Sequence, residues 1–230
     1  MGIKNWFTKR REYGQFVSSM NFHWSDQNYI ALDMETTGLD IKADRILSVG
    51  WTQISQGSIK LKSARHMLLS GSEVDTAAIG IHLITDSDIK DRGIKPRDVM
   101  KKLQQAFSKS VLIAHHAPIE IGFLKKAWLG LDLPEMKIRI IDTMALEAKL
   151  LHRKSHVAGH NSLTLATCRK RYGLPQYLAH DALTDAIGVG ELLMAQATHL
   201  GGNTTLETLF RLAGKEVTLS GATTEKRLDE

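Results

Sequence analysis

Two carboxylates, Asp33 and Glu35, stand two residues apart at the end of the apolar run Tyr29-Ile30-Ala31-Leu32. Side chains at i and i+2 of a strand lie on one face, with roughly 6–7 Å between their backbone positions. Like charges held that close repel, and each raises the other's pKa unless a cation lies between them. Thr36-Thr37-Gly38 then turns the chain, so the pair falls at the carboxyl edge of the strand, where open α/β sheets bind ligands. A divalent metal site is the simplest chemistry for such a pair. Alone, an Asp-x-Glu is equally compatible with any half-exposed strand.

Further along stand Ala114-His115-His116-Ala117-Pro118-Ile119-Glu120-Ile121-Gly122-Phe123-Leu124 and His180-Asp181-Ala182-Leu183-Thr184-Asp185-Ala186. With Asp33-Met34-Glu35-Thr36-Thr37-Gly38, these segments resemble the three exonuclease motifs of the DEDDh family of 3′→5′ exonucleases. That family includes the proofreading (epsilon) subunit of bacterial DNA polymerase III. The resemblance keeps the family's order and spacing over residues 28–200.

The resemblance implies an α/β, ribonuclease H-like exonuclease fold and two divalent metal ions, Mg²⁺ or Mn²⁺, as cofactors. Two such ions about 3.5–4 Å apart serve the attacking and leaving oxygens of phosphodiester hydrolysis, and carboxylates are their natural ligands. By resemblance Asp33, Glu35 and Asp185 are metal ligands, with Asp33 shared, and Glu120 reaches the second ion largely through water. His180 matches the histidine that takes a proton from the attacking water, a task suited to an imidazole, which when free titrates near 6.5. Thr36, Thr37, Gly38 and Leu39 correspond to the turn that contacts the terminal nucleotide. Ile84, in Ile81-His82-Leu83-Ile84-Thr85-Asp86, corresponds to the residue lining the base pocket.

Motif two departs from the family pattern: His116 stands for Asn, Ile119 for Phe and Glu120 for Asp. The extra methylene of Glu120 moves its carboxylate by about 1.5 Å. A Glu in the first turn of a helix is also favoured by the helix dipole with no metal role at all. Asp181 and Asp185 lie four apart on one expected helix. Asp181 as N-cap spends its oxygen on backbone N–H groups, leaving Asp185, one turn in, to face the metals.

The function implied is hydrolysis of single-stranded or frayed DNA 3′ ends to nucleoside monophosphates. The implied partners are a single-stranded DNA 3′ end and, for proofreading, a separate DNA polymerase subunit. The same metals would serve RNA 3′-end trimming, and the altered motif two leaves open a weakened nucleic-acid or polymerase-binding module.

Bulk properties fit an ordinary globular chain: 230 residues, 43% apolar and 24% charged. The single cysteine, Cys168, excludes an internal disulfide and a four-cysteine zinc site; its helical surroundings make it a small buried hydrophobe. With 30 basic and 25 acidic residues the net charge is +5, which suits a polyanionic partner. Residues 149–171 hold no acid but contain Lys149, Arg153, Lys154, Arg169, Lys170 and Arg171. Such a segment would draw phosphate backbones towards a carboxylate site, or be simply a solvated face. No apolar stretch reaches the ~18 residues of a spanning helix, and no secretory signal is legible at the N-terminus. The expectation is no membrane and a cytoplasmic location.

These groups need elements to position them. Alternating patterns predict strands over 29–35, 45–54 and 57–69, the last two joined by a hairpin turn at 55–58. Short strands follow at 111–114 and 137–141. Helical signals cover 85–91, 96–109, 118–129, 142–151, 161–172, 181–199 and 204–212. The sum is a mixed five-stranded sheet flanked by helices. Residues 1–27 read as an N-terminal amphipathic helical extension, 28–200 as the exonuclease domain, and 201–230 as a C-terminal helix with a mobile tail.

Overall fold

Strand β1 (Tyr29–Thr36) carries the first two acids and alternates as its sequence requires. Tyr29 and Ala31 bury on one face, Ile30 and Leu32 on the other. The computed structural model describes residues 20–71, 83–153, 162–178 and 180–222. Residues 1–19 of the expected N-terminal helix lie outside these, as do Ile81, His82, residues 154–161 of the basic segment and the tail beyond residue 222.

β2 (Ile46–Ser55) pairs antiparallel with β1, and β3 (Ser58–Leu68) antiparallel with β2. Gln56 and Gly57 turn between them with φ of 52° and 61°, the two positive values of a type I′ hairpin, whose twist matches that of the strands. On the other side of β1 lie β4 (Val111–Ala114) and then β5 (Met136–Asp142), both parallel. β6 (Gly214–Leu219) adds antiparallel to β5, giving the order β3-β2-β1-β4-β5-β6. The sheet therefore has six strands where the sequence pattern suggested five. β6 is a short edge strand that follows a helix without a turn signal, and only Val217 and Leu219 of it face the core.

Helices cover both faces. Against Ile30, Leu32 and Leu112 pack α2 (Pro96–Phe107), through Val99, Met100 and Leu103, and α3 (Ala117–Gly130), through Phe123, Leu124 and Trp128. α1 (Asp86–Arg92) precedes them, closed by a capping box between Thr85 and Asp88. Against Tyr29, Ala31 and Ile113 pack α4 (Thr143–Arg153), α6 (Ala182–Leu200) and α7 (Leu206–Ala213). Each fully buried Leu or Phe here, such as Leu32, Leu103 and Phe123, contributes about 1.5–3 kcal/mol.

α5 (Leu165–Arg171) begins later than the sequence suggested. Its cap is Thr164, whose Oγ1 accepts from the Thr167 N–H at 3.3 Å, so Ser162 and Leu163 stand outside the helix. Cys168 is fully buried, as its surroundings required, and burial pushes its thiol up to about 11. No helix among the described residues is long and apolar enough to cross a membrane.

Candidate active site

The alternation of β1 decides where the first acids point. Asp33 and Glu35 share the face of Tyr29 and Ala31, the face that α6 covers. Asp33 lies opposite Gly50 and Glu35 opposite Ser48 on β2. A register shift follows Glu35, where the pairing skips Leu47 and resumes with Thr36 opposite Ile46.

Gly50 lets α6 reach that point. A Cβ at residue 50 would lie 2.1 Å from the backbone carbonyl carbon of Ala182, so only glycine allows the first turn of α6 to rest on the sheet beside Asp33. Gly190 packs closely further along, where a Cβ would meet the flexible tip of Ile54 at 3.1 Å, a tighter but less strict fit. Asp181 caps the helix, its Oδ1 accepting from the Thr184 N–H at 2.8 Å. Burial pushes the Asp181 carboxyl up, but the hydrogen bonds from Thr184 outweigh it and leave the group below the usual range. Its other oxygen faces His66 Nδ1 at 3.6 Å. The assignment of Asp181 to structure thus agrees with its contacts.

Asp185, one turn in, meets the β1 pair. One carboxylate oxygen from each of Asp33, Glu35 and Asp185 lies within 4.8 Å of the others. The electrostatic cost is visible in all three. Burial, then the charges of Glu120, Asp185 and Glu35, raise the Asp33 carboxyl well above its ordinary value. Burial, then Asp185 and Asp181, bring Glu35 to about 7. Asp185 is also raised, chiefly by burial, although the His180 backbone N–H opposes the shift.

Glu120 arrives from α3. The chain leaves β4 through His116, at φ 73°, and the α3 start is held by Asp142 at the end of β5. The Asp142 carboxylate accepts from the N–H groups of His116 and Ala117, both at 3.1 Å, and of Met144 and Ala145 at 2.9 and 3.2 Å. One side chain therefore caps both α3 and α4. Glu120, in the first turn of α3, is 5% exposed and its Oε2 has no hydrogen-bond partner. Burial, followed by Asp142, pushes it up to about 8, although a backbone hydrogen bond opposes the rise. An exposed glutamate favoured by the helix dipole alone does not describe this residue. It stands outside the tight oxygen group, yet after burial it is the strongest influence on Asp33.

The remaining expected residues distribute differently. His180 is exposed, at φ 71°, with its N–H on Asp185 Oδ2 at 2.8 Å. Thr36 Oγ1 donates to the Gly38 carbonyl at 2.7 Å, and Thr37 Oγ1 to Asp44 Oδ1 at 2.8 Å. Lys126 Nζ of α3 donates to the carbonyls of Lys42 and Asp44, tying this loop to the helix of Glu120. Leu39 is 75% exposed at its tip. Ile84 is buried with Leu47, Leu68 and Ile89 in a small separate core, while its neighbour Leu83 is 78% exposed with φ 57°. His115 is structural: its ring nitrogens meet Thr143 Oγ1 at 2.9 Å and the Leu163 carbonyl at 2.7 Å, and burial lowers its pKa.

The basic segment needs a correction. Arg169 is 2% exposed and pairs with Glu191 at 2.7 Å. Arg171 pairs with the buried Glu147, also at 2.7 Å. Arg169 serves the fold, and Arg171 is tied to it while remaining exposed, as are Lys149, Arg153 and Lys170. Sequence reasoning also gave no weight to Gly50, whose need is set by Ala182, 132 residues further along the chain.

The donor set fits divalent cations. Ion pairs among the described residues leave Asp33, Glu35 and Glu120 out. Clustered carboxylates that raise one another's pKa, beside a buried carboxylate oxygen without a partner, are what a hard cation with oxygen ligands resolves.

Residues 30–193 match the family model described as Exonuclease (RNase_T). The chain is 29% identical over 187 residues to the DNA polymerase III PolC-type of Lacticaseibacillus paracasei, covering 79% of this chain and 12% of the relative. With the PolC-type protein of Listeria innocua it is 28% identical over 162 residues, 70% of this chain and 11% of the relative. The chain thus spans only 11–12% of these relatives' length. Among solved structures, Exonuclease X in complex with 5′ overhanging duplex DNA superposes with a TM-score of 0.60 at 21% identity, covering 80% of this chain and 98% of that one. The nuclease domain of 3′hExo, a DEDDh family member bound to rAMP, gives 0.65 at 12% identity, with 79% and 96% covered. These likenesses carry the ribonuclease H-like fold, and the match across residues 30–193 establishes that the chain belongs to the exonuclease family.

Proposed function

We propose that the chain is a metal-dependent 3′→5′ exonuclease that removes nucleoside monophosphates from single-stranded or frayed DNA 3′ ends. The observation that carries this reading is the convergence of Asp33, Glu35 and Asp185 oxygens within 4.8 Å, with buried Glu120 beside them. These four acids would hold two Mg²⁺ or Mn²⁺ ions, which supply charge neutralisation on the phosphoryl oxygens and a more acidic attacking water.

The chain's own groups do the rest. The His180 imidazole accepts the proton of the attacking water, and its backbone bond to Asp185 keeps it next to the acids. Thr36, Thr37 and Gly38 shape the turn after β1, and exposed Leu39 offers an apolar surface to the terminal nucleotide. Ile84, buried with Leu47, Leu68 and Ile89, would line the base pocket by resemblance to the family. Exposed Lys149, Arg153 and Lys170 add to the positive charge that attracts a phosphate backbone to the protein.

A DNA strand as substrate is supported by Exonuclease X in its DNA complex, and a polymerase subunit as partner by the polymerase III relatives. Cytoplasm is the location this work would require. The test is digestion of 3′-labelled DNA and matched RNA oligonucleotides with Mg²⁺ or Mn²⁺. We expect stepwise release of monophosphates from DNA, lost in EDTA and in Asp33→Ala. Equal activity in either of those samples overturns the mechanism, and a preference for RNA overturns the substrate.

A further inference from the structure

The segment between α5 and α6 delivers His180, and its described residues, 172–178, 180 and 181, form no helix or strand. It is nevertheless held at two points. Near its start, the buried guanidinium of Arg169 donates from Nη2 to the Pro175 carbonyl at 2.7 Å and from Nη1 to the Gly188 carbonyl of α6 at 2.8 Å. The same group pairs with Glu191 of α6 at 2.7 Å and lies 4.4 Å above the Tyr177 ring. Tyr177 Oη closes the arrangement by donating to Glu191 Oε1 at 3.0 Å. Three residues after Tyr177, the His180 N–H reaches Asp185 Oδ2.

An arginine taken out of water is tolerated only when its charge and donors are matched. Here the matching spans three pieces of chain: α5, the loop and α6. Arg169 thus fixes the path of the loop relative to the helix that carries Asp185. Tyr177 is 40% exposed, so the hydrophobic core does not depend on it. Its ring and hydroxyl instead close the clamp, over the guanidinium and on Glu191.

We propose that Arg169, Glu191 and Tyr177 are positioning residues that set where the His180 imidazole stands over the acids. The proposal rests on the reading of His180 as the proton acceptor. Placement matters because a displacement of about 1 Å at a reacting group costs up to roughly 10²-fold in rate.

The experiment is a double-mutant cycle on the full chain with Mn²⁺ and a single-stranded DNA oligonucleotide, comparing wild type, Tyr177→Ala, His180→Ala and the double variant. Tyr177→Ala is expected to lower kcat roughly 10-fold through misplacement of the base, with KM unchanged and the thermal midpoint lowered by only about 2–4 °C. On the His180→Ala background the same change should cost less than ~2-fold, since coupled residues are not additive. Tyr177→Phe, which keeps the ring under the guanidinium, should recover most of the rate.

An unchanged kcat in Tyr177→Ala overturns the proposal. So does an equal loss on both backgrounds, or a rise in KM alone, which would make Tyr177 a substrate contact. Wild-type activity in His180→Ala removes the reading of His180 itself, and the clamp's purpose with it. An inactive His180→Ala beside an unaffected Tyr177→Ala overturns only the clamp.

Discussion

Replacing Glu120 by Gln should change how the stability of the metal-free protein depends on pH. The Glu120 carboxyl is 5% exposed and pushed from an ordinary 4.5 to about 8, chiefly by burial. A carboxyl whose pKa is higher in the folded state holds its proton more tightly there. Its contribution to stability is fully present below 4.5 and is lost as pH rises towards 8. Across pH 5.5 to 7.5 the unfolded chain has released this proton and the folded chain has kept it. One proton corresponds to about 1.4 kcal/mol per pH unit, so the interval removes about 3 kcal/mol through this group alone. Glu35, brought to about 7, and the raised Asp33 add the same sign. Urea unfolding in EDTA at pH 5.5, 6.5 and 7.5 measures the slope. Wild type should lose stability steadily, and Glu120→Gln should lose about 3 kcal/mol less across the same interval. Saturating Mn²⁺ should restore wild-type stability at pH 7.5, because a ligand bound only by the folded state stabilises it. Parallel pH dependences in EDTA would refute the argument, because they would mean that Glu120 is ionised at no cost in the fold.

Gly50→Ala places a methyl group 2.1 Å from the Ala182 backbone; it should destabilise by about 1–3 kcal/mol in urea and lower kcat by up to roughly 10²-fold through displaced Asp185. Asp142→Ala leaves four helix-terminal N–H groups without their acceptor, so unfolding should show a loss of about 2–4 kcal/mol. Glu120→Asp, the residue of the family pattern, is expected to raise the ratio of Mg²⁺- to Mn²⁺-supported rates by roughly 10-fold through restored metal geometry. A fall in both rates would instead assign Glu120 to packing.

What was legible in the sequence was whatever depends on near neighbours. The period-2 pattern of β1 placed Asp33 and Glu35 on one face, and Asp181 read correctly as the cap of α6. Asp142 was foreseeable as a cap of α4, being next to it, but not of α3, whose start lies 25 residues earlier. Arg169 read as surface charge because its partner, Glu191, belongs to another helix; Arg171 is at the surface, but its buried partner Glu147 on another helix was hidden for the same reason. The burial of Glu120 was equally hidden: a first-turn glutamate has the same local sequence whether α3 presents it to water or to Asp33. β6 escaped because an edge strand is specified by the strand it joins, here β5, and its own six residues carry little pattern.

The shared carboxylate at residue 142 has a consequence for anyone wishing to recombine this chain with its relatives. Because one side chain seats two helix starts at once, the stretch carrying Glu120 is not an interchangeable cassette. A graft of that stretch would transfer its chemistry only into a host whose fifth strand ends in an acid able to hold both helices, and swaps chosen by motif alone would meet this mismatch first.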